Sequence, residues 1–129
     1  MYRWVEHTAE VELAIDAATE REVLADALAA LGELLGVEGN GDERRNVVVR
    51  APDRPALLAG WLEELAFLAE VEGFEATVLE TLELGAGSLE ATVAGRLGDP
   101  PPLVKGVTYH GLAFQPAGSG YRASVVLDV

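Results

Sequence analysis

Two stretches of helical period, each with its own start and stop, constrain this chain most. Thr19-Glu-Arg-Glu22 fits a capping box, in which the Thr hydroxyl and the Glu carboxylate satisfy free N–H groups at a helix start. Val23, Leu24, Ala27, Leu28, Leu31, Leu34 and Leu35 then recur at helical spacing, and Gly36 is a natural stop. In the second stretch Asp53-Arg-Pro55 places a cap before a proline in the first turn, where its missing N–H costs nothing. Leu57, Leu58, Trp61, Leu62, Leu65 and Leu68 form its apolar stripe, which should end near Gly73. Glu63, Glu64, Glu70 and Glu72 supply the wet face. Two such stripes must be buried against something, and most of the remaining chain reads with period two.

Residues 4–15 alternate. Val5, His7, Ala9, Val11, Leu13 and Ile15 fall on one face, and Trp4, Glu6, Thr8, Glu10, Glu12 and Ala14 on the other. This is one half-buried strand, or a strand pair with a bend, carrying an acidic face at Glu6, Glu10 and Glu12. Like charges on one strand face repel, so the alternation is broken somewhere or met by a cation, Lys or Arg. Residues 37–46 read as a loop and the β-branched 46–50 as a short strand. Residues 77–84 and 89–97 form a hairpin through the glycine-containing 85–88. Gly98-Asp-Pro-Pro-Pro102 breaks any ladder, and 107–115 and 121–129 pair across 116–120. The order β-α-β-α-β-β-β-β, with no linker, implies one α+β domain over residues 1–129. It is a mostly antiparallel or mixed sheet packed with two amphipathic helices.

Composition narrows the function. With 129 residues, half of them hydrophobic, the chain buries a core without staples. A net charge of −13 argues against general nucleic-acid binding, because phosphates are repelled. It suits a soluble protein that meets cations or a basic partner surface, although plain solvation accounts for many acidic chains. The absence of cysteine excludes disulfides, thiolate nucleophiles and Cys-based zinc sites. No basic-then-apolar leader and no bilayer-length apolar run occurs, so the expected location is cytoplasmic, away from membranes.

Catalytic motifs are scarce. No Gly-rich loop precedes a helix with Lys-Ser/Thr, and neither HExxH nor a nucleophile elbow is present. His7 and His110 are the only histidines; spacing favours a packed His7 over a ligand, and packing or hydrogen bonding for Tyr109 and His110. What remains is carboxylates. In the final strand Tyr121, Ala123, Val125, Leu127 and Val129 share the core face, so Asp128 emerges opposite, next to the carboxylate of Val129. If the first and last strands lie side by side, hard oxygen ligands converge, suiting Ca²⁺, Mg²⁺ or Mn²⁺. Spacing alone leaves that pairing open.

Four motifs, in order along essentially the whole chain, resemble the archease family. Glu6-His-Thr-Ala-Glu10-Val11 resembles its opening His-Thr-Ala-Asp, and Leu57-Leu58…Trp61-Leu62-Glu63-Glu64-Leu65 its LLxxWLxELLyL helix. Lys105-Gly-Val-Thr-Tyr-His110 resembles its KAxTYH segment, and Val125-Val-Leu-Asp-Val129 its terminal strand. The resemblance implies a single archease-like domain that binds a divalent metal (Ca, Mg or Mn) and serves an RtcB-type RNA-splicing ligase without catalysing ligation. That ligase joins a 2′,3′-cyclic phosphate or 3′-phosphate end to a 5′-hydroxyl through a histidine-linked guanylate. The accessory protein promotes guanylylation and multiple turnover. The resemblance maps the metal ligands to Glu10 and Asp128, with the Val129 carboxylate as a further ligand, and ligase activation to Lys105. His7, Thr108 and His110 are candidate supporting residues around these ligands. No small-molecule substrate is expected. Position 10 departs from the pattern, since Glu adds a methylene to the usual Asp and moves the ligand oxygen outward. Two rival readings are an independent metal-dependent phosphoester hydrolase using Glu10, Asp128 and His7 or His110, and a metal-free, chaperone-like interaction module.

Overall fold

The computed structural model describes residues 1–7 and 9–129, the His7 side chain excepted. Among these, the strands are β1 (Tyr2–His7), β2 (Glu10–Ala17), β3 (Glu43–Arg50), β4 (Phe74–Leu84), β5 (Ser88–Leu97), β6 (Gly106–Ala117) and β7 (Gly120–Asp128). The helices are α1 (Glu20–Leu34) and α2 (Arg54–Glu72). One sheet runs β1-β2-β7-β6 and the other β3-β5-β4, with every pairing antiparallel. The α+β class expected from the element order is therefore met by two sheets. Both helices touch both sheets, α1 chiefly β4 and β2, α2 chiefly β6, β3 and β4. Among the described residues no helix is long and apolar enough to cross a membrane.

The helix signals act as their chemistry dictates. The Thr19 hydroxyl accepts from the Glu22 N–H at 3.1 Å, while the Glu22 carboxylate accepts from the Ala18 N–H at 3.2 Å. Asp53 accepts from the Ala56 N–H at 2.9 Å, and Gly73 ends α2 in the left-handed conformation at φ 66°. All six residues of the α2 stripe are buried. Trp61, fully buried, donates its indole N–H to the Leu24 carbonyl at 2.9 Å and so ties α2 to α1.

The opening segment takes the second of its two expected forms, and the faces expected for its first residues change with it. Residues 4–15 are a strand pair, with Trp4 opposite Leu13, Glu6 opposite Val11 and His7 opposite Glu10. Antiparallel partners share a face, so the turn between the strands exchanges the faces of residues 4–7 relative to those after it. Trp4 thereby packs against the core with Leu13, and Glu6 leaves the acidic set expected at Glu6, Glu10 and Glu12. Thr8 lies outside the described residues. Ala9 is left-handed at φ 60°, the one such residue other than glycine among those described.

Strand β3 also begins earlier than its β-branched core suggests. Its polar start is held by ion pairs, Arg44 to Glu80 at 2.7 Å and Arg45 to Glu72 at 2.8 Å. The hydrogen bond from Arg44 holds the Glu80 carboxyl below the usual range.

Candidate functional site at the end of the four-stranded sheet

The pairing that spacing leaves open is made. Strand β7 runs between β2 and β6, and Asp128 stands opposite Glu10 on one side and Gly106 on the other. Directly opposed residues of an antiparallel pair share a face with Cβ atoms about 5 Å apart. Two carboxylates in that relation repel each other, so the arrangement costs stability until a cation meets it.

The main chain fastens this end. The Lys105 N–H donates to the Asp128 carbonyl at 2.7 Å, and the Val129 N–H donates to the Ala9 carbonyl at 3.3 Å. The strained turn residue that leads into Glu10 is thus bonded to the residue that follows Asp128. Gly106, opposite Asp128, has open space where a Cβ would stand, so the flank of the carboxylate is clear.

Lys105 is the only lysine among nine basic residues. Arg44, Arg45, Arg54, Arg96 and Arg122 each meet a carboxylate. Lys105 is exposed and, among the described residues, forms no ion pair, so its ammonium is available to something outside the fold.

The remaining expected residues are placed differently. His7 faces Glu10 in the backbone register, but its side chain lies outside the described residues. Thr108 stands opposite Val126, itself opposite Glu12, and its Oγ1 is buried without a hydrogen-bond partner among the described residues. An orphaned buried hydroxyl costs roughly 1–3 kcal/mol, so a water or a hydrated ligand is welcome there. His110 is exposed and lies, with Tyr109, where the β6–β7 register breaks between Thr108 and Ala113. Ser124 donates to the Gly111 carbonyl at 2.8 Å across this bulge. Tyr109 reaches away to Glu63 at 3.4 Å, whose negative charge pushes the phenol pKa up.

Among the described residues no group of three His, Asp or Glu side chains is arranged to hold a metal. The donor set is two hard carboxylates, Glu10 and Asp128, with the carboxylate of Val129 one residue on. Its chemistry fits an Mg²⁺-like ion, which keeps several waters and is held by one or two carboxylates plus phosphates from outside.

One surface feature was not anticipated from the sequence. The acid-bearing face of α2 also exposes Phe67 and Val71, at 53% and 63%. The signal was present: the two lie four apart, continue from Glu63 at the same spacing and fall outside the buried stripe.

Relatives fix the family. The Archease protein family (MTH1598/TM1083) matches residues 2–129. The protein archease of Methanosarcina mazei is 31% identical over 139 residues, covering 99% of this chain and 95% of that one. The Archaeoglobus fulgidus protein of the same name is 30% identical, covering 99% and 98%. In fold, the chain is similar to the solution structure of Methanobacterium thermoautotrophicum protein 1598, with a TM-score of 0.70 at 20% identity, covering 99% and 98%. It is also similar to the Thermotoga maritima crystal structure described as an archease, possible chaperone, with a TM-score of 0.60 at 19% identity, covering 100% and 98%. The family match spans nearly every residue, including both strands that carry the paired carboxylates, and this chain belongs to the archease family.

Proposed function

We propose that this protein is a non-catalytic, metal-binding activator of an RtcB-type RNA ligase in the cytoplasm, promoting guanylylation and multiple turnover. The observation that carries the proposal is Asp128 directly opposite Glu10, with the single lysine of the chain bonded through its N–H to Asp128. Glu10, Asp128 and the Val129 carboxylate would hold a divalent cation, Ca²⁺, Mg²⁺ or Mn²⁺. When bound, such an ion neutralises phosphate charge. Glu10 and Asp128 supply the negative charge that retains it on the exposed sheet end, and the clear flank at Gly106 admits a nucleotide or partner group. Lys105, without an ion-pair partner among the described residues, presents its ammonium beside this end to the ligase or to its phosphates.

Membership of the family supports the reading, and the acidic surface argues against the protein gripping RNA itself. The test is guanylylation and turnover of the cognate ligase with wild type, Asp128→Ala and Lys105→Ala. Wild type should stimulate, and each variant should lose at least about tenfold, the order expected when a buried or metal-bridged charge contact is removed. Equal stimulation by wild type and Asp128→Ala sinks the metal-end mechanism, and no stimulation by wild type sinks the partner.

The chaperone-like reading has its own support in the exposed apolar face of α2 and in the description of the Thermotoga maritima relative as a possible chaperone. Calorimetric titration with Ca²⁺, Mg²⁺ and Mn²⁺ separates the two, because a metal-free module gives no saturable heat. An independent hydrolase requires a base at the carboxylates. His110 sits instead on the β6 bulge, outside the register with β7, while His7 faces Glu10 in the backbone register with its side chain outside the described residues; the sequence supplies no nucleophile motif beside them, so this reading has the least support of the three.

A further inference from the structure

Helix α2 has a buried stripe, yet its opposite side is not simply polar. Phe67 and Val71 stand exposed among Glu63, Glu64 and Glu70. A helix that is apolar on both sides leaves surface in water that burial elsewhere would reward. Beside this face α2 and the start of β6 enclose an open groove of about 390 Å³, with Phe67, Ala66, Val104 and Val107 in its walls and Glu63 and Glu70 at its rim. Leu103, 38% exposed, extends the apolar wall alongside Ala66 and Glu70. Lys105 and Gly106 also line the groove, which therefore reaches the strand end where Gly106 pairs with Asp128.

The charge of this surface is one-signed. The last turn of α2 holds no basic residue, so Glu70 and Glu72 sit where the helix dipole is already negative. Arg45 answers Glu72, whereas Glu64 and Glu70 form no ion pair among the described residues. The one positive group in the groove is Lys105, at the end nearest Asp128. A complementary occupant therefore carries apolar side chains for Phe67 and Val71 and basic side chains along Glu63 and Glu70. A second copy of the chain, also at −13, would set acid against acid.

We infer that the groove between α2 and β6, with Phe67 in its wall, docks a basic, apolar-bearing segment of the protein partner and so brings Lys105 and the carboxylate pair to their target. This rests on the proposal that the chain serves a protein partner. The experiment measures binding of the cognate ligase at low and high salt to wild type, Phe67→Ala, the double variant Glu63→Gln/Glu70→Gln, and Asp128→Ala. Thermal melts of every variant report that the fold is intact, and the metal-titration heat of the two groove variants reports that their sheet end is intact. Phe67→Ala should weaken binding about tenfold, the usual loss at an aromatic anchor. The double variant should weaken it at low salt and flatten the salt dependence. Asp128→Ala should still bind while failing to stimulate.

Undiminished binding by both groove variants overturns the inference even if wild type activates the ligase. Concentration-dependent self-association abolished by Phe67→Ala overturns it in favour of a homodimer face. If wild type does not bind the ligase, the partner reading falls and takes the docking surface with it.

Discussion

Replacing Asp128 by Asn should reverse the stability order of variant and wild type according to whether metal is present. The two side chains are nearly isosteric, and both main-chain bonds around position 128 survive the change. With metal chelated, the substitution removes the repulsion of Glu10 from across the β2–β7 pair. At a Cβ separation of about 5 Å and a water-like dielectric that repulsion is worth roughly 0.5–1 kcal/mol. Unfolding entropy of about 2.1 cal/mol/K per residue makes 1 kcal/mol worth about 4 °C in a chain of this length. The variant should therefore melt about 2–4 °C above wild type in chelator. At a metal concentration about a hundredfold above Kd, wild type should gain about 2.7 kcal/mol, or about 10 °C, and overtake the variant, which gains almost nothing. Scanning calorimetry with and without Mg²⁺, Mn²⁺ or Ca²⁺ reads both halves. If Asp128→Asn lowers the melting point in chelator, the carboxylates are not repelling each other. If both proteins rise equally with metal, the ion binds elsewhere.

The turn that leads into Glu10 makes a related forecast. Ala9 at φ 60° carries roughly 1–2 kcal/mol of strain, of which glycine relieves more than the ~0.4–1 kcal/mol it loses to unfolded-state entropy. Ala9→Gly should thus melt a few degrees higher while binding metal more weakly through a looser Glu10; a lower melting point would show that φ is not the cost supposed. Trp61→Phe leaves a void and removes the bond to the Leu24 carbonyl, so it should lose about 2–3 kcal/mol in denaturant titrations, and a loss under about 1 kcal/mol would mean the α1–α2 tie is minor. The Tyr2 phenol, hydrogen-bonded to Glu33, is pushed up to about 12. Because the folded value exceeds the unfolded one, near 10, this contribution is whole below pH 10 and lost as pH rises through about 12. Ultraviolet titration should show late-titrating tyrosines, of which the Tyr2 component moves back toward the ordinary range in Glu33→Gln, and no change in that variant refutes the assignment.

Legibility in the sequence followed the range of the forces involved. Capping and helix period act within a few residues, so Thr19, Asp53, Gly73 and the Leu57–Leu68 stripe could be read directly and recur in the fold. Strand faces are local only until the chain turns. Trp4 and Glu6 were assigned to the wrong side because the reversal before Glu10 resets the parity, and Ala9 is not the glycine or asparagine that usually marks such a turn. The polar start of β3 was read as loop because what makes it a strand is remote, namely β5 and the carboxylates of Glu72 and Glu80. For the site, residue types were visible at Glu10, Asp128 and Lys105, but their juxtaposition depends on which strands neighbour β7, a choice made across more than a hundred residues. The position of His110 was unreadable for the same reason, since the β6 bulge exists only relative to β7.

The two least comfortable features of the surface are linked through Lys105, and one explanation covers both. A core-forming sequence has no need to set Glu10 against Asp128 or to leave Phe67 and Val71 in water among glutamates. Each arrangement lowers the stability of the isolated protein, and the proposed ligands would relieve each of them, a cation in one case and a basic, apolar segment in the other. Lys105 joins them, since its N–H is bonded to the Asp128 carbonyl and the same residue lines the α2–β6 groove. Docking at the groove would therefore deliver the metal-bearing end and the ammonium together, in a fixed relation set by the backbone of β6. A partner that gripped only the groove, or only the ion, would meet half of the unfavourable surface, so binding of metal and of partner should strengthen each other by equal factors.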